Sequence, residues 1–195
     1  MENIQKNTYY KMYTFSYVYD DKNILADTPD DKTIGSVYKR SFIEMYNIHF
    51  SKEGSYANED YGFSRACKII LDEWKRYEFS DARKHIKIPV FYEHIDKHSL
   101  TKANNNEFFY DKLSPGIIIN GLHAIKIAED AGVPPENLFE EYAYILTQEY
   151  FFLLCCARER PEYADQTWDY IYEFYHGPYY RYKKFANKAA EIQFF

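Results

Sequence analysis

The sequence predicts a mainly helical α+β fold in which an N-terminal aromatic β-strand or hairpin leads into helices and a C-terminal three-helix bundle. Three patterns carry that expectation. Residues 8–19 alternate with period two, apolar residues recur at three and four positions from 34 to 79, and long apolar stripes after position 113 are punctuated by Gly and Pro. With 195 residues, 46% of them hydrophobic, the chain can bury one core. It reads as a single domain over 1–195, divided into an α+β part (1–112), an acidic helical bundle (113–178) and a basic aromatic tail (179–195).

In the first segment Tyr9, Tyr13, Phe15, Tyr17 and Tyr19 point one way, and Thr8, Tyr10, Met12, Thr14, Ser16 and Val18 the other, the alternation of a strand. Residues 20–23 form a turn, and 27–31 form an acidic loop around Pro29. Ile34, Val37, Tyr38, Phe42 and Met45 then predict a helix over about 33–49. A second helix is expected over about 61–79, with Phe63, Ala66, Cys67, Ile70 and Trp74 as its buried stripe and Asp60 as N-cap. Ile86, Ile88, Val90 and Tyr92 alternate again, but Pro89 permits only an edge strand or an extended segment.

Residues 101–111, with three consecutive Asn, read as a loop, and Ser114 followed by Pro115 reads as the cap and first residue of a helix. Ile118, Leu122, Ile125 and Ala128 give that helix its buried face, and Gly132 closes it. Pro134 and Pro135 begin the longest helix, ending near Arg158; its second half is apolar all round and is expected to be the central core element. Pro161 starts another helix through Trp168, Ile171, Tyr172 and Tyr175, stopped by Gly177 and Pro178.

Composition narrows the function. The 22 Tyr, 15 Phe and 2 Trp make 20% of the chain aromatic, and Tyr joins a large apolar body to a polar tip, which suits broad contact surfaces. The 28% charged content and low mean hydropathy predict a soluble protein. The longest strongly apolar stretch, 150–157, has eight residues against the ~20 of a membrane span. No basic-then-apolar leader opens the chain, so a cytoplasmic location is expected. Cys67, Cys155 and Cys156 lack the two-residue gap of a metal grip and read as reduced, buried thiols.

Charge is unevenly laid out. Residues 113–178 hold three Lys/Arg against eleven Asp/Glu, a net −8, while residues 179–195 hold four against one. An acidic body with a basic tail repels nucleic acid and suits a basic protein partner.

Four constellations invite a function. Ile127, Ala128, Ala131, Gly132, Val133, Leu138, Phe139 and Tyr142 form a pattern that resembles the helix-turn-helix of tetracycline-repressor-type regulators, which read Ile-Ala-x-x-Ala-Gly-Val and, four residues on, Leu-Tyr-x-x-Phe. The resemblance implies DNA reading over fewer than 20 residues, yet Glu136, Glu140 and Glu141 stand where phosphate-facing cations belong. A pair of packed helices sharing a Gly turn accounts for the same residues. His94, Asp96 and His98, with Glu93 beside them and His85 upstream, are weak candidate ligands for a divalent metal in a hydrolase, against the alternative of a solvated polar loop. Tyr179, Tyr180, Arg181, Tyr182, Lys183, Lys184, Phe185 and Lys188 interleave cations with aromatics, as a single-strand binder would, or as a terminal strap packing on the body would. Glu149 falls on the apolar stripe of Leu138, Tyr142, Ile145, Phe152 and Cys156, where burial would raise its pKa.

No Gly-rich phosphate loop, dinucleotide fingerprint, nucleophile elbow or His-Glu-x-x-His is present, and no catalytic residue, cofactor or metal is assigned. The functional expectation is a non-catalytic protein-binding or assembly protein, a structural component or inhibitor of the kind a phage or mobile element encodes. Its partner is another protein or a second copy, with no membrane and no nucleic acid. The contact residues are Glu140, Glu141, Tyr179, Tyr180, Arg181, Tyr182, Lys183 and Lys184, with both Glu on the solvent side of the long helix. The alternatives are the hydrolase using His94, Asp96 and His98 and the helix-turn-helix regulator.

Overall fold

The computed structural model describes residues 12–19, 24–27, 33, 35–53, 58–78, 83–93 and 107–185. The fold is mainly helical. Its strands are β1 (Met12–Tyr19), β2 (Ile24–Asp27), β3 (Ser36–Tyr38) and β4 (Arg83–Glu93). Its helices are α1 (Arg40–Met45), α2 (Glu59–Glu78), α3 (Glu107–Asp130), α4 (Pro135–Glu159), α5 (Ala164–Phe174) and the single turn α6 (Tyr180–Tyr182).

The expected N-terminal hairpin is β1–β2, antiparallel with Tyr17 opposite Ala26. Met12 and Thr14, two residues apart and so on one face, are both buried, as strand periodicity requires. The strand β3 pairs antiparallel with the other end of β1, and β4 runs parallel to β1 along its opposite edge. Pro89 sits in that outer strand opposite Ser16, where the register shifts, so the donor that Pro lacks falls at an irregularity of the ladder.

The helix expected over 33–49 is two elements. Gly35 turns at φ +79, Val37 pairs with Tyr13 in β3, and helix begins only at Arg40. Val and Tyr favour a pleated ladder, and a three- or four-residue recurrence spanning a strand, a turn and a short helix imitates one long helix. Asp60 does not cap α2 from outside; it is the helix's second residue and bonds the Tyr61 N–H at 3.0 Å. The rest of α2 follows expectation, with Ala66, Cys67 and Ile70 buried and Phe63 half-buried; Trp74's side chain lies outside the described residues.

A larger correction concerns α3, which begins at Glu107 and carries Pro115 inside it. Ser114 is no cap: its buried hydroxyl is donated to Glu149 on α4. The buried face centres on Asn120, Gly121, Ala124, Ile125 and Ala128, leaving Ile118 and Leu122 half-buried. At Gly121 the two helices approach so closely that a Cβ would stand 2.5 Å from Ile145 Cδ1. Gly132, at φ +88, closes α3 as expected, with the Val133 N–H bonded to the Ala128 carbonyl.

In α4 the buried residues concentrate in the first half, from Leu138 through Leu146 to Glu149. The apolar second half is not buried all round, since Phe151 and Leu154 are each 68% exposed. There α4 is covered on one side by Tyr163 and Ala164, which pack on Phe152 and Cys156. The C-terminal bundle is α3, α4 and α5, and α2 packs against α3. Leu138, Ile145, Leu146, Ile125, Ile70 and Ile171 join one core with Met12 and Phe42. Cys67 and Cys156 are buried free thiols, whereas Cys155 is half-exposed. Among the described residues no helix is long and apolar enough to cross a membrane.

Candidate protein interface

The expected stop at Gly177 and Pro178 does not occur. Tyr175–Tyr179 forms a π-turn that joins α5 to α6 and then to a 3₁₀ turn, Lys183–Phe185, so the backbone is helical from 164 to 185. The physical reason lies in Pro178, whose ring would strike the carbonyl four residues back and which has no N–H to offer it. Widening the turn relieves the clash, and the Tyr180 N–H reaches five residues back to the Tyr175 carbonyl.

That wide turn also sets the surface. Trp168, Tyr172, His176 and Tyr180 recur at every fourth residue and all face solvent, while Thr167, Ile171, Phe174 and Tyr179 are buried. A strict α-helix drifts off a four-residue repeat, and one π-turn absorbs part of the drift. Trp168, Tyr172 and Tyr180 are 48%, 54% and 62% exposed, large apolar surface left open to water. The Tyr172 ring lies 4.1 Å from that of His176, whose Nδ1 meets the Tyr172 carbonyl at 2.9 Å. Trp168 meets the Tyr150 ring at 6.4 Å, and Leu154 follows Tyr150 by one turn on α4, so the apolar face continues across to α4.

Charge divides this face in two. Asp165, Asp169 and Glu173 are exposed on α5, which has no Lys or Arg; Arg181, Lys183 and Lys184 are exposed beyond the π-turn. Lys184 Nζ sits 4.9 Å above the Phe185 ring.

The expected contact residues therefore separate. Tyr180, Arg181, Lys183, Lys184 and Glu140 are exposed. Tyr179 is buried against Phe139, with ring centroids 5.5 Å apart. Tyr182 stacks on Tyr142 at 4.2 Å and donates its hydroxyl to Glu129, so this part of the tail straps itself to the body. Glu141 is not on the solvent side. It is buried and receives both a 2.9 Å bond from Arg65 Nε and a second from Arg65 Nη2, and the Arg65 guanidinium lies 4.3 Å over Tyr144. Burial lowers the Arg65 pKa and the Glu141 carboxylate raises it, with a net rise. His94, Asp96 and His98 lie outside the described residues.

Glu149 is fully buried, and burial pushes its pKa up to about 8 against the downward pull of the Ser114 hydroxyl. Its Oε1 has no hydrogen-bond partner among the described residues, the arrangement of a neutral carboxyl that fixes α3 against α4. A cleft of about 50 Å³ between α2 and α4, lined by Lys68, Asp72, Glu73, Asn137, Glu140 and Glu141, has room for a water or two. Substrate pockets are several-fold larger.

Trp168 and Tyr172 are not among the expected contact residues, because the apolar run of Trp168, Ile171, Tyr172 and Tyr175 does not by itself separate a buried face from an exposed one. The four-residue repeat from Trp168 to Tyr180, running straight across Gly-Pro, was the available signal. No family model matches the chain, and no curated protein or solved structure matches it either.

Proposed function

We propose that the protein is a non-catalytic protein-binding or assembly protein and that it engages its partner through the exposed face of residues 164–185. The observation that supports this reading is the stripe of Trp168, Tyr172 and Tyr180, all about half-exposed or more, on a helix whose opposite side is locked into the core. Aromatic side chains with few internal degrees of freedom supply large contact area at small entropic cost, and they dominate protein interfaces. Glu136 and Glu140 face outward from the first turns of α4, where a DNA-reading helix would present cations.

The test is purification of the native protein from its source, side by side with a Trp168→Ala/Tyr172→Ala variant. Wild type runs in fixed stoichiometry with a partner, another protein or a second copy of the chain, and the variant loses it while keeping its circular dichroism and a cooperative thermal transition. Retention of the same partner by the variant contradicts the reading.

A further inference from the structure

We infer that the partner on this face is a second copy of the same chain, docked antiparallel about a two-fold axis that passes near the π-turn. The inference rests on the interface reading above and adds the identity of the occupant. Its basis is charge complementarity within one surface. The acidic half of the exposed helical face, Asp165 to Glu173, and its basic half, Arg181 to Lys184, lie on either side of Tyr175. A two-fold pairing superposes each half on the opposite half of the other copy, as an isologous contact requires.

One register of that pairing engages the charges at both ends of the face together with Trp168. With the axis between residues 174 and 175, Asp165 of one copy lies opposite Lys184 of the other, and Trp168 opposite Arg181. The first is an ion pair and the second a guanidinium over an indole, the most favourable cation–π combination. Each contact occurs twice by symmetry. The paired segment spans about 28 Å at 1.5 Å per residue, long enough for a helix–helix contact with Tyr172 near its centre. Parallel pairing would instead set acid against acid and base against base. The same face is therefore self-complementary in one orientation and self-repelling in the other, which is how charge fixes the geometry of a homodimer.

Sedimentation velocity over a concentration series at low salt tests this with four proteins: wild type, Asp165→Lys, Lys184→Glu, and the two changes in one chain. Both sites are exposed, and circular dichroism checks that each variant is folded. The wild type dimerises, each single reversal weakens the dimer about tenfold or more because it creates two like-charge contacts, and the double reversal restores it. An equimolar mixture of the two single variants also restores dimers, since each then meets its complement. A wild type that stays monomeric at about 100 µM, a dimer indifferent to the single reversals, or a double reversal that does not recover overturns the inference. If the monomer still loses a co-purifying partner in the Trp168→Ala/Tyr172→Ala variant, the interface reading survives with a different occupant; if that partner is also indifferent, both fall.

Discussion

The hydroxyl of Ser114 is donated to the carboxyl of Glu149, joining α3 to α4 in a position from which water is excluded. A pH dependence follows. Glu149 has a folded pKa raised from 4.5 to about 8, so between those values the native protein holds a proton that the unfolded chain has released. The group's contribution is therefore most favourable below pH 4.5 and is lost as pH rises to about 8, by about 1.4 kcal/mol per unit within the window. Denaturant midpoints from pH 4.5 to 9 should show that slope in wild type and its loss in Glu149→Gln. Ser114→Ala, which removes the downward pull, should extend the slope to higher pH. An unchanged slope in Glu149→Gln would show that the carboxyl is not the group responsible.

The buried Arg65–Glu141 pair is predicted to be fragile in one direction. Glu141→Ala leaves a guanidinium with 7% exposure and no carboxylate, which should cost about 3–5 kcal/mol. Replacing both partners together, Arg65→Met with Glu141→Leu, should recover most of that loss. Glu140→Lys, one residue away but exposed, should leave stability within about 0.5 kcal/mol of wild type. Urea denaturation of the four proteins checks all three statements.

The close approach of α3 and α4 makes Gly121 intolerant. Gly121→Ala places a methyl 2.5 Å from Ile145 Cδ1 and should destabilise by about 1–3 kcal/mol, although alanine is the better helix former. A stabilised Gly121→Ala would mean that the Ile145 side chain can move aside, or the helices part, without penalty.

Along α4 the effect of truncation should follow burial rather than hydrophobicity. Leu146→Ala should cost about 2–5 kcal/mol, whereas Phe151→Ala and Leu154→Ala should each stay within about 0.5 kcal/mol. Equal losses at Leu146 and Phe151 would place the core on the wrong side of the helix.

Much of the fold was legible because periodicity is local. The strand at Met12, the α2 stripe at Ala66, Cys67 and Ile70, and the closing turn at Gly132 all follow from spacing and backbone preference alone. The errors arose where a local signal competed with a tertiary one. Ser114-Pro115 has the form of a helix start, but a buried carboxyl 35 residues away claims the serine hydroxyl, and the helix runs through. Gly177-Pro178 has the form of a stop, but Tyr179 and Tyr182 pack on Phe139 and Tyr142 and hold the chain helical beyond it. The burial of Glu149 was readable from its place on an apolar stripe. Glu141 also stands on that stripe, three residues after Leu138 and four before Ile145, but the guanidinium that makes its burial tolerable, Arg65, belongs to another helix and has no local signal.

Hydroxyl-radical footprinting of the assembled native protein tests the central claim most directly, by comparing it with the same protein dissociated by dilution and salt. If the face of residues 164–185 is the interface, oxidation of Trp168, Tyr172 and Tyr180 falls on assembly, while Met45 and Phe50, exposed on α1 and just beyond it, react equally in both states. Unchanged oxidation of the three aromatics, or protection confined to Met45 and Phe50, would contradict it.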